Sequence, residues 1–415
     1  MSSSEQSYSL LNVIRIADNF PSFSTPYPRQ HPITKKNLIP FYLTLSDFKN
    51  SLPPIGLIPS HNHDLIKRFK DEQGLQLFTI IKKISKEEKA RNEKKKSKSS
   101  SKEQDEKAKD DEKAKPAEGS SADVKGKEKE KRKKREKKTI KTEVMNRLTE
   151  KMKDEGKFSK GLRAWTSEKI PVFASSHSSC WKNDKDAVNI PFGNIAFEIE
   201  RAAAPIFCLT ALSMHLTAYE GEGEDMKIWL PKYADSEKDS KSKLFSVSEK
   251  LEFAFHLIHQ SSERNQLLFA ESFFLMMKTV ECEFTGTGVT PIDSLSKCGH
   301  QDLGWSEECI KRNAKSTGIV SLFQVANYTY DLKLPSQDSP DYLAPKASHE
   351  GVSYKLYTVP EVLEALKSNQ FWSNSAIATI DFLIKHGIIT PENEPNYAEI
   401  VKRLHRSTGI AGPGN

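Results

Sequence analysis

The sequence predicts a mixed α/β fold, because strand-like and helix-like segments alternate along much of the chain. Apolar and polar residues alternate in IAFEIE at 195–200, which is typical of a strand with one buried face. The apolar runs at 205–220 and 226–231 are separated by a Gly/Glu turn, which predicts a hairpin. A helix-like stretch at 306–316 then precedes a predicted strand pair at 317–335.

The C-terminal part continues this alternation. GVSYKLYTV at 351–359 predicts a strand, and PEVLEALKSN predicts a helix with Pro360 near its first turn. Two amphipathic helices are predicted in NSAIATIDFLIKHG and NEPNYAEIVKRLHRST, the first ending at Gly387. Strands and helices in this order indicate a layered α/β or α+β domain.

The N-terminal part predicts a smaller mixed α/β unit followed by a polar insertion. Residues 1–88 contain the apolar run SLLNVIRI, the strand-like IPFYLTL at 39–45 and the helix-like HDLIKRFKD. Residues 91–140 contain no aromatic residue, so ordering them would bury little apolar surface, and we expect disorder. Helical spacing returns in EVMNRLTEKMKDEGKF, where Val144, Leu148 and Met152 recur and Gly156 offers an end.

Most of the positive charge of the chain lies in that insertion. The 415 residues have a net charge of +7, and residues 91–140 alone contain 20 Lys and Arg against 12 Asp and Glu. Glutamates are interleaved with the lysines, and aromatic residues that could stack on bases are missing. The segment therefore predicts a solvated linker, with weak and salt-sensitive nucleic-acid contact as the alternative.

Cysteine usage and hydropathy limit the cellular environment. The five cysteines are widely spaced and form no CxxC pair, which argues against a disulfide framework and a zinc ribbon. The N-terminus lacks the features of a secretory signal, and no run of about 20 uncharged apolar residues occurs. We expect no membrane association and a cytoplasmic location, with the nucleus as the alternative.

Several longer segments resemble one enzyme family. IERAAAPIFCLTALSMHLTAYEGEGEDMKIWLP, ECIKRNAKSTGIVS, YKLYTVPEVLEALKS and DFLIKHGIITPENEPNYAEIVKRLHR closely resemble fungal Nudix hydrolases related to thiamine pyrophosphokinase. The ADNFP motif at 17–21 and EVMNRLTEKMKDEGKFSKGLRAW resemble the accessory domain that precedes the Nudix domain in that family. We expect no separate kinase domain in this chain.

The resemblance implies a domain organisation and a fold. It implies a Nudix α/β/α sandwich with a mixed sheet, preceded by a small mixed α/β accessory domain. The implied divisions are an accessory domain at 1–88, a disordered Lys/Glu-rich insertion at 89–142, the completion of the accessory domain and a connection at 143–190, and a Nudix-like domain at 191–406 with an atypical insertion at 244–290.

The family signature is Gly, five residues, Glu, seven residues, then Arg-Glu-aliphatic-any-Glu-Glu-any-Gly-aliphatic. Its glutamates lie on one helical face, where they can bind Mg²⁺ or Mn²⁺ beside a diphosphate. In this chain Lys297 stands at the Arg position, and Cys298 and Gln301 stand where glutamates are expected. Asp302 keeps a carboxylate one methylene shorter. Earlier in the box, Glu283 replaces the first Gly and Val289 the first Glu.

The resemblance also implies roles for single residues. Lys297 would orient the acidic cluster, Asp302 would be the remaining metal ligand of the box, and Glu350 would be an auxiliary ligand or base. Arg201 lies beside a strand expected to face the ligand region and could touch substrate phosphate. The implied activity is hydrolysis of a small-molecule diphosphate such as thiamine diphosphate or an oxidised thiamine or nucleoside diphosphate analogue.

Two of the three helix carboxylates are missing, so we expect severely impaired activity, or a noncatalytic protein that binds a ligand or partner. The segment 244–290 replaces a short Gly-rich connection of the family and ends inside the box. Divergence of a retired enzyme and an error in the gene model both explain it. Sequencing the transcript across 244–305 distinguishes the two.

Overall fold

A computed structural model of the chain describes residues 8–17, 27–30, 36–66, 141–156, 158, 162, 165, 167–181, 189, 191–233, 280–283, 290–322, 325–335, 337–338, 342–346, 352–371 and 373–413. The chain forms two compact units, one of residues 1–60 with 158–415 and one of residues 61–157. The domain boundaries implied by the resemblance stay predictions.

The larger unit is built on a mixed sheet of six strands. These strands are Ala211–Glu220 (β5), Lys227–Tyr233 (β6), Val280–Glu283 (β7), Lys315–Leu322 (β8), Val325–Lys333 (β9) and Val352–Thr358 (β10). Their order is β10-β6-β5-β9-β8, with β7 also paired to β5. β5 and β9 run parallel, whereas every other described pairing in this sheet is antiparallel. The mixed sheet is therefore confirmed.

Helices cover both faces of this sheet. The helices among the described residues are Leu10–Ala17 (α1), Leu45–Lys49 (α2), Ser60–Ile66 (α3), residues 141–154 (α4), Pro291–Leu303 (α5), Glu307–Asn313 (α6), Val359–Lys367 (α7), Ser373–Lys385 (α8) and Tyr397–Leu404 (α9). One core joins α1, α7, α8 and α9 to one face, and includes Ile228 and Ile377. A second core joins α5 and α6 to the other face, and includes Met214 and Leu295. The predicted α/β/α layering is confirmed.

The side chains of β5 point to the two faces of the sheet. In β5, Met214 and Leu216 belong to the core beneath α5, whereas Tyr219 packs against the core beneath α8. The predicted hairpin is confirmed, since Tyr219 and Glu220 pair with the start of β6. The strand begins at Ala211, because a 3₁₀ helix occupies the first residues of the predicted apolar run.

Two small ribbons lie outside the main sheet. Leu38–Phe41 (β1) pairs with Gly56–Pro59 (β2), and Lys169–Phe173 (β3) pairs with Ile195–Glu200 (β4). The strand predicted at 195–200 is thus present but pairs outside the main sheet. A Cβ atom at Gly56 would stand 2.5 Å from the Phe207 carbonyl oxygen, so glycine permits this close backbone approach.

Two predicted elements end earlier than expected. The strand predicted at 39–45 ends at Phe41, because Thr44 caps α2 by accepting a hydrogen bond from the Asp47 amide at 3.1 Å. The helix predicted at 306–316 ends at Asn313, and Lys315 already begins β8. In both cases the sequence identified the element but misplaced its end.

The N-terminal apolar run forms α1 and belongs to the sandwich core. Leu10, Val13 and Ile14 are buried in the same core as residues of α8 and α9. The Tyr8 amide also donates to the Lys367 carbonyl at 2.8 Å. An amphipathic helix of eight residues has little stability alone, so the C-terminal helices supply the surface that holds it.

In the smaller unit, the predicted helix is present at residues 141–154. Val144, Leu148 and Met152 are buried, as their spacing predicts, and Gly156 adopts φ +64° at its end. Most of the basic insertion lies outside the described residues. Within the described part of the chain, no helix has the length and apolar character needed to cross a bilayer.

Candidate active site

The helix that contains the incomplete signature is α5. Two reciprocal hydrogen bonds between Thr290 and Asp293 cap its N-terminus. Thr290 Oγ1 accepts from the Asp293 amide at 3.4 Å, and Asp293 Oδ2 accepts from the Thr290 amide at 3.1 Å. Pro291 occupies the first turn, where its missing N–H costs nothing. Hydrogen bonds from Thr290 and an ion pair with Lys311 at 2.9 Å lower the pKa of Asp293 to about 2. The stability that the charged Asp293 carboxylate contributes is therefore lost as the pH falls towards about 2.

Removing this cap is expected to destabilise the protein. Thr290→Ala deletes the side-chain acceptor for the Asp293 amide, which should cost about 1 kcal/mol of the free energy of unfolding. The urea midpoint of the purified protein measures this loss. Thr290→Ser keeps the hydroxyl and serves as the control, so equal midpoints for the two variants would contradict the prediction.

The four box residues that the sequence singled out lie on the second half of α5. Leu295 and Leu303 are buried beneath the sheet, whereas Lys297 and Gln301 are exposed. Cys298 and Asp302 lie half-buried between these two sides, one helical turn apart. The four positions therefore lie on one helix, along the border between its buried and exposed sides, and the roles that the resemblance implies for them stay predictions.

The side chains on this border do not match a site for a hard divalent ion. Magnesium prefers several oxygen ligands, whereas this border of α5 offers the carboxylate of Asp302, the neutral amide of Gln301 and the thiol of Cys298. A thiol is a soft ligand that suits such an ion poorly. Among the described residues, no three His, Cys, Asp or Glu side chains come together in a group that could hold a metal. The described side chains of this border therefore do not fit Mg²⁺ or Mn²⁺.

The C-terminal end of α5 is fixed by the following loop. Gly304 caps the helix at φ +69°, and its amide donates to the His300 carbonyl at 3.1 Å. His300 Nδ1 lies 2.7 Å from the Trp305 carbonyl oxygen, and the Lys346 amide donates to the Leu303 carbonyl at 3.0 Å. These contacts give the end of α5 a defined geometry.

A buried carboxylate anchors the loop that contains Lys346. Glu220, at the end of β5, is 8% exposed and accepts from Trp229 Nε1 and Tyr342 Oη, both at 2.8 Å, through Oε1. Its Oε2 accepts from Gln337 Nε2 at 3.3 Å. Burial and the Glu220 carboxylate raise the pKa of Tyr342 to about 12. We call these four residues the Glu220 cluster.

The sequence analysis did not identify the Glu220 cluster. Its members come from β5, β6 and the segment after β9, and Tyr342 follows Glu220 by 122 residues. One local signal is that Glu220 lies on the same face of β5 as the buried Ala218, two residues earlier. A glutamate at an inward position of a strand needs buried donors, which is a usable hint.

Of the other predicted site residues, the structure describes Arg201 but not Glu350. Arg201 begins the 3₁₀ helix after β4, where its Nε lies 3.3 Å from Glu168 Oε2 and its amide donates to the Glu168 carbonyl. Contact of Arg201 with substrate phosphate stays a prediction. Glu350 lies outside the described residues, as does most of the 244–290 segment, whose end contributes strand β7.

Comparison with known proteins identifies relatives of the chain. No protein-family model matches it. Nudix hydrolase 24, chloroplastic, of Arabidopsis thaliana is 25% identical over 217 residues, which cover 50% of this chain and 49% of the plant protein. Nudix hydrolase 20, chloroplastic, of the same plant is 28% identical over 230 residues, covering 53% and 50%. The chain is related to Nudix hydrolases.

The chain is also similar to a yeast protein and, weakly, to a solved structure. The uncharacterized protein YJR142W of Saccharomyces cerevisiae is 28% identical over 266 residues, covering 63% of this chain and 67% of the yeast protein. A crystal structure of a C. elegans Ap4A hydrolase binary complex covers 42% of this chain at 8% identity, with a TM-score of 0.22. That score is too low to establish a shared fold. The chain spans about half the length of the two plant relatives.

Proposed function

We propose that this Nudix-related chain is a diphosphate hydrolase in which the hydrolytic step is severely weakened. The observation that supports this proposal is the pair Cys298 and Gln301 on the border of α5, at two positions where the signature has glutamates. The resemblance to fungal Nudix hydrolases related to thiamine pyrophosphokinase suggests the substrate class. It consists of thiamine diphosphate and oxidised thiamine or nucleoside diphosphate analogues, cleaved to the monophosphate.

The remaining charged side chains suit diphosphate binding better than hydrolysis. Lys297 is exposed beside Gln301, so its ammonium can approach a phosphate or orient Asp302. A divalent ion, when bound, supplies charge neutralisation and an activated water in Nudix chemistry. Losing a residue that only positions the metal ligands already costs about 10- to 100-fold in affinity or activity. Each tenfold loss of rate corresponds to about 1.4 kcal/mol of barrier. Losing two direct carboxylates should cost more.

The test measures phosphate release from thiamine diphosphate and its oxidised analogues by the purified protein, with Mg²⁺ or Mn²⁺. We expect turnover at least about 100-fold below that of a relative with an intact box, measured in parallel. Turnover within about tenfold of that relative would contradict the proposal.

The runner-up is a noncatalytic protein that binds a thiamine-like or nucleotide-like ligand, or a partner. It is favoured by the intact capping and packing of α5, because the helix keeps its shape without its ligand set. Thermal stabilisation by thiamine diphosphate without phosphate release would favour this alternative. Slow release that depends on the metal would favour the weakened hydrolase.

A further inference from the structure

A network of contacting polar side chains lies between the sheet and the two C-terminal helices, α8 and α9. In order of contact it consists of His405, Asp381, Lys385, Thr329, Thr317, Asp331 and His386. In β9, Tyr330 and Leu332 pack on the α5 face, so Thr329 and Asp331 project from the opposite face. This network therefore lies on the opposite face of the sheet from the candidate active site.

Asp381 carries the most buried charge in this network. Its side chain is 1% exposed, and it forms an ion pair with Lys385, one turn later on α8. His405 Nε2 lies 3.0 Å from Asp381 Oδ1. A buried carboxylate is costly unless cationic partners compensate it, so both basic groups matter to the stability of this interface.

The surroundings of His405 favour its protonated form. Its Nε2 lies against the Asp381 carboxylate, and its Nδ1 lies 3.0 Å from the Ile319 carbonyl oxygen of β8. Both neighbours are acceptors. A neutral imidazole has one N–H, which can donate to the Ile319 carbonyl, whereas a protonated ring also carries the positive charge that pairs with the Asp381 carboxylate.

His405 stands where the chain leaves α9 for the small β1–β2 ribbon. The helix ends at Leu404, and six residues later Ile410 is buried in the core that contains Leu38 and Leu57. The Ala411 amide donates to the Pro54 carbonyl at 2.8 Å, and Asn194 Nδ2 donates to the Gly412 carbonyl at 2.8 Å. Residues 406–412 therefore connect the sandwich to the ribbon, with His405 at one end of the connection.

We propose that His405 is a pH-sensitive clasp: its protonated ring ties the end of α9 to α8 and β8, and its deprotonation loosens residues 406–412. The charged groups that act on the ring are Asp381 and Lys385 of α8, and β8 contributes the Ile319 carbonyl. Arg403 of α9 pairs instead with Glu399 at 2.7 Å.

The direction of the pH dependence follows from these contacts. The Asp381 carboxylate raises the pKa of His405 above its ordinary value of 6.5, against the opposing effects of burial and Lys385. A raised pKa in the folded state means that the clasp contributes fully below about pH 6.5. Its contribution is lost as the pH rises through the folded-state pKa.

The experiment compares the full chain with His405→Gln and, as a matched control, His177→Gln, which alters an exposed histidine. Melting temperatures are measured from pH 5.5 to 8.5. We expect His405→Gln to melt at least about 2 °C below the wild type at the low end and to approach it at the high end. His177→Gln should follow the wild type throughout. A constant difference between His405→Gln and the wild type would overturn the proposal.

Two further readouts make the test specific. The His405 ring protons should titrate in NMR spectra with a midpoint above 6.5, and a midpoint at or below that value would overturn the proposal. Hydrogen exchange at pH 6, corrected for intrinsic rates, should be faster in residues 406–412 of His405→Gln than in the wild type. Equal protection of that segment in the two proteins would also overturn it.

Discussion

The double substitution Cys298→Glu with Gln301→Glu is expected to raise phosphate release from thiamine diphosphate by about 100-fold or more. It returns carboxylates to the two positions of α5 where the Nudix signature has them, Cys298 one turn before Asp302 and Gln301 directly before it. Gln301 is exposed and Cys298 is half-buried, so both longer side chains can extend towards solvent. A gain of this size corresponds to about 2.7 kcal/mol of barrier.

The matched control is Cys298→Gln in the otherwise unchanged chain. It has the length of glutamate without the charge, so it separates the effect of the carboxylates from that of side-chain size. We expect no gain in phosphate release from this control. If the double glutamate variant is folded, binds Mg²⁺ and is no faster than the control, missing carboxylates do not limit hydrolysis. The proposed function would then rest on the wrong residues.

Glu220→Ala is expected to lower the free energy of unfolding by about 3 kcal/mol. The substitution removes the acceptor that Trp229, Tyr342 and Gln337 share. A hydrogen bond to a charged acceptor contributes about 1.5 to 3 kcal/mol, and the partly exposed Tyr342 and Gln337 recover some of that energy by bonding to water. Urea unfolding, followed by tryptophan fluorescence and by circular dichroism, measures the change.

Glu220→Gln is the control for this experiment, because it keeps an acceptor oxygen and the side-chain volume. Its loss should be smaller than that of Glu220→Ala, since one amide oxygen can still accept from Trp229 or Tyr342. The alanine variant should also show faster hydrogen exchange at residues 342–346, which the cluster ties to the end of α5. A stability within about 0.5 kcal/mol of the wild type would show that the Glu220 cluster is energetically unimportant.

The sequence predicted the elements that carry strong local signals. The strand pair predicted at 317–335 contains β9, the helix predicted with Pro360 near its first turn is α7, and Gly387 marked the end of the α8 segment at φ +72°. Each of these signals comes from neighbouring residues along the chain. The layered architecture followed from their order, and the positions of Lys297, Cys298, Gln301 and Asp302 on one helix followed from the signature.

The contacts between distant segments could not be predicted in the same way. The Glu220 cluster and the network of polar side chains from His405 to His386 depend on the register of β5 against β9 and on the placement of α8. No local pattern specifies that register. The pairing of β4 with β3 and the docking of α1 onto α8 were missed for the same reason.

The docking of α1 has a consequence for the order in which the protein is made. Val13 shares its core with Ile377, Ile400 and Leu404, so α1 packs against helices that are synthesised several hundred residues later. During translation the apolar face of α1 therefore stays unburied until several hundred further residues have left the ribosome. A nascent chain arrested before α8 should consequently expose apolar surface at its beginning and attract chaperones there.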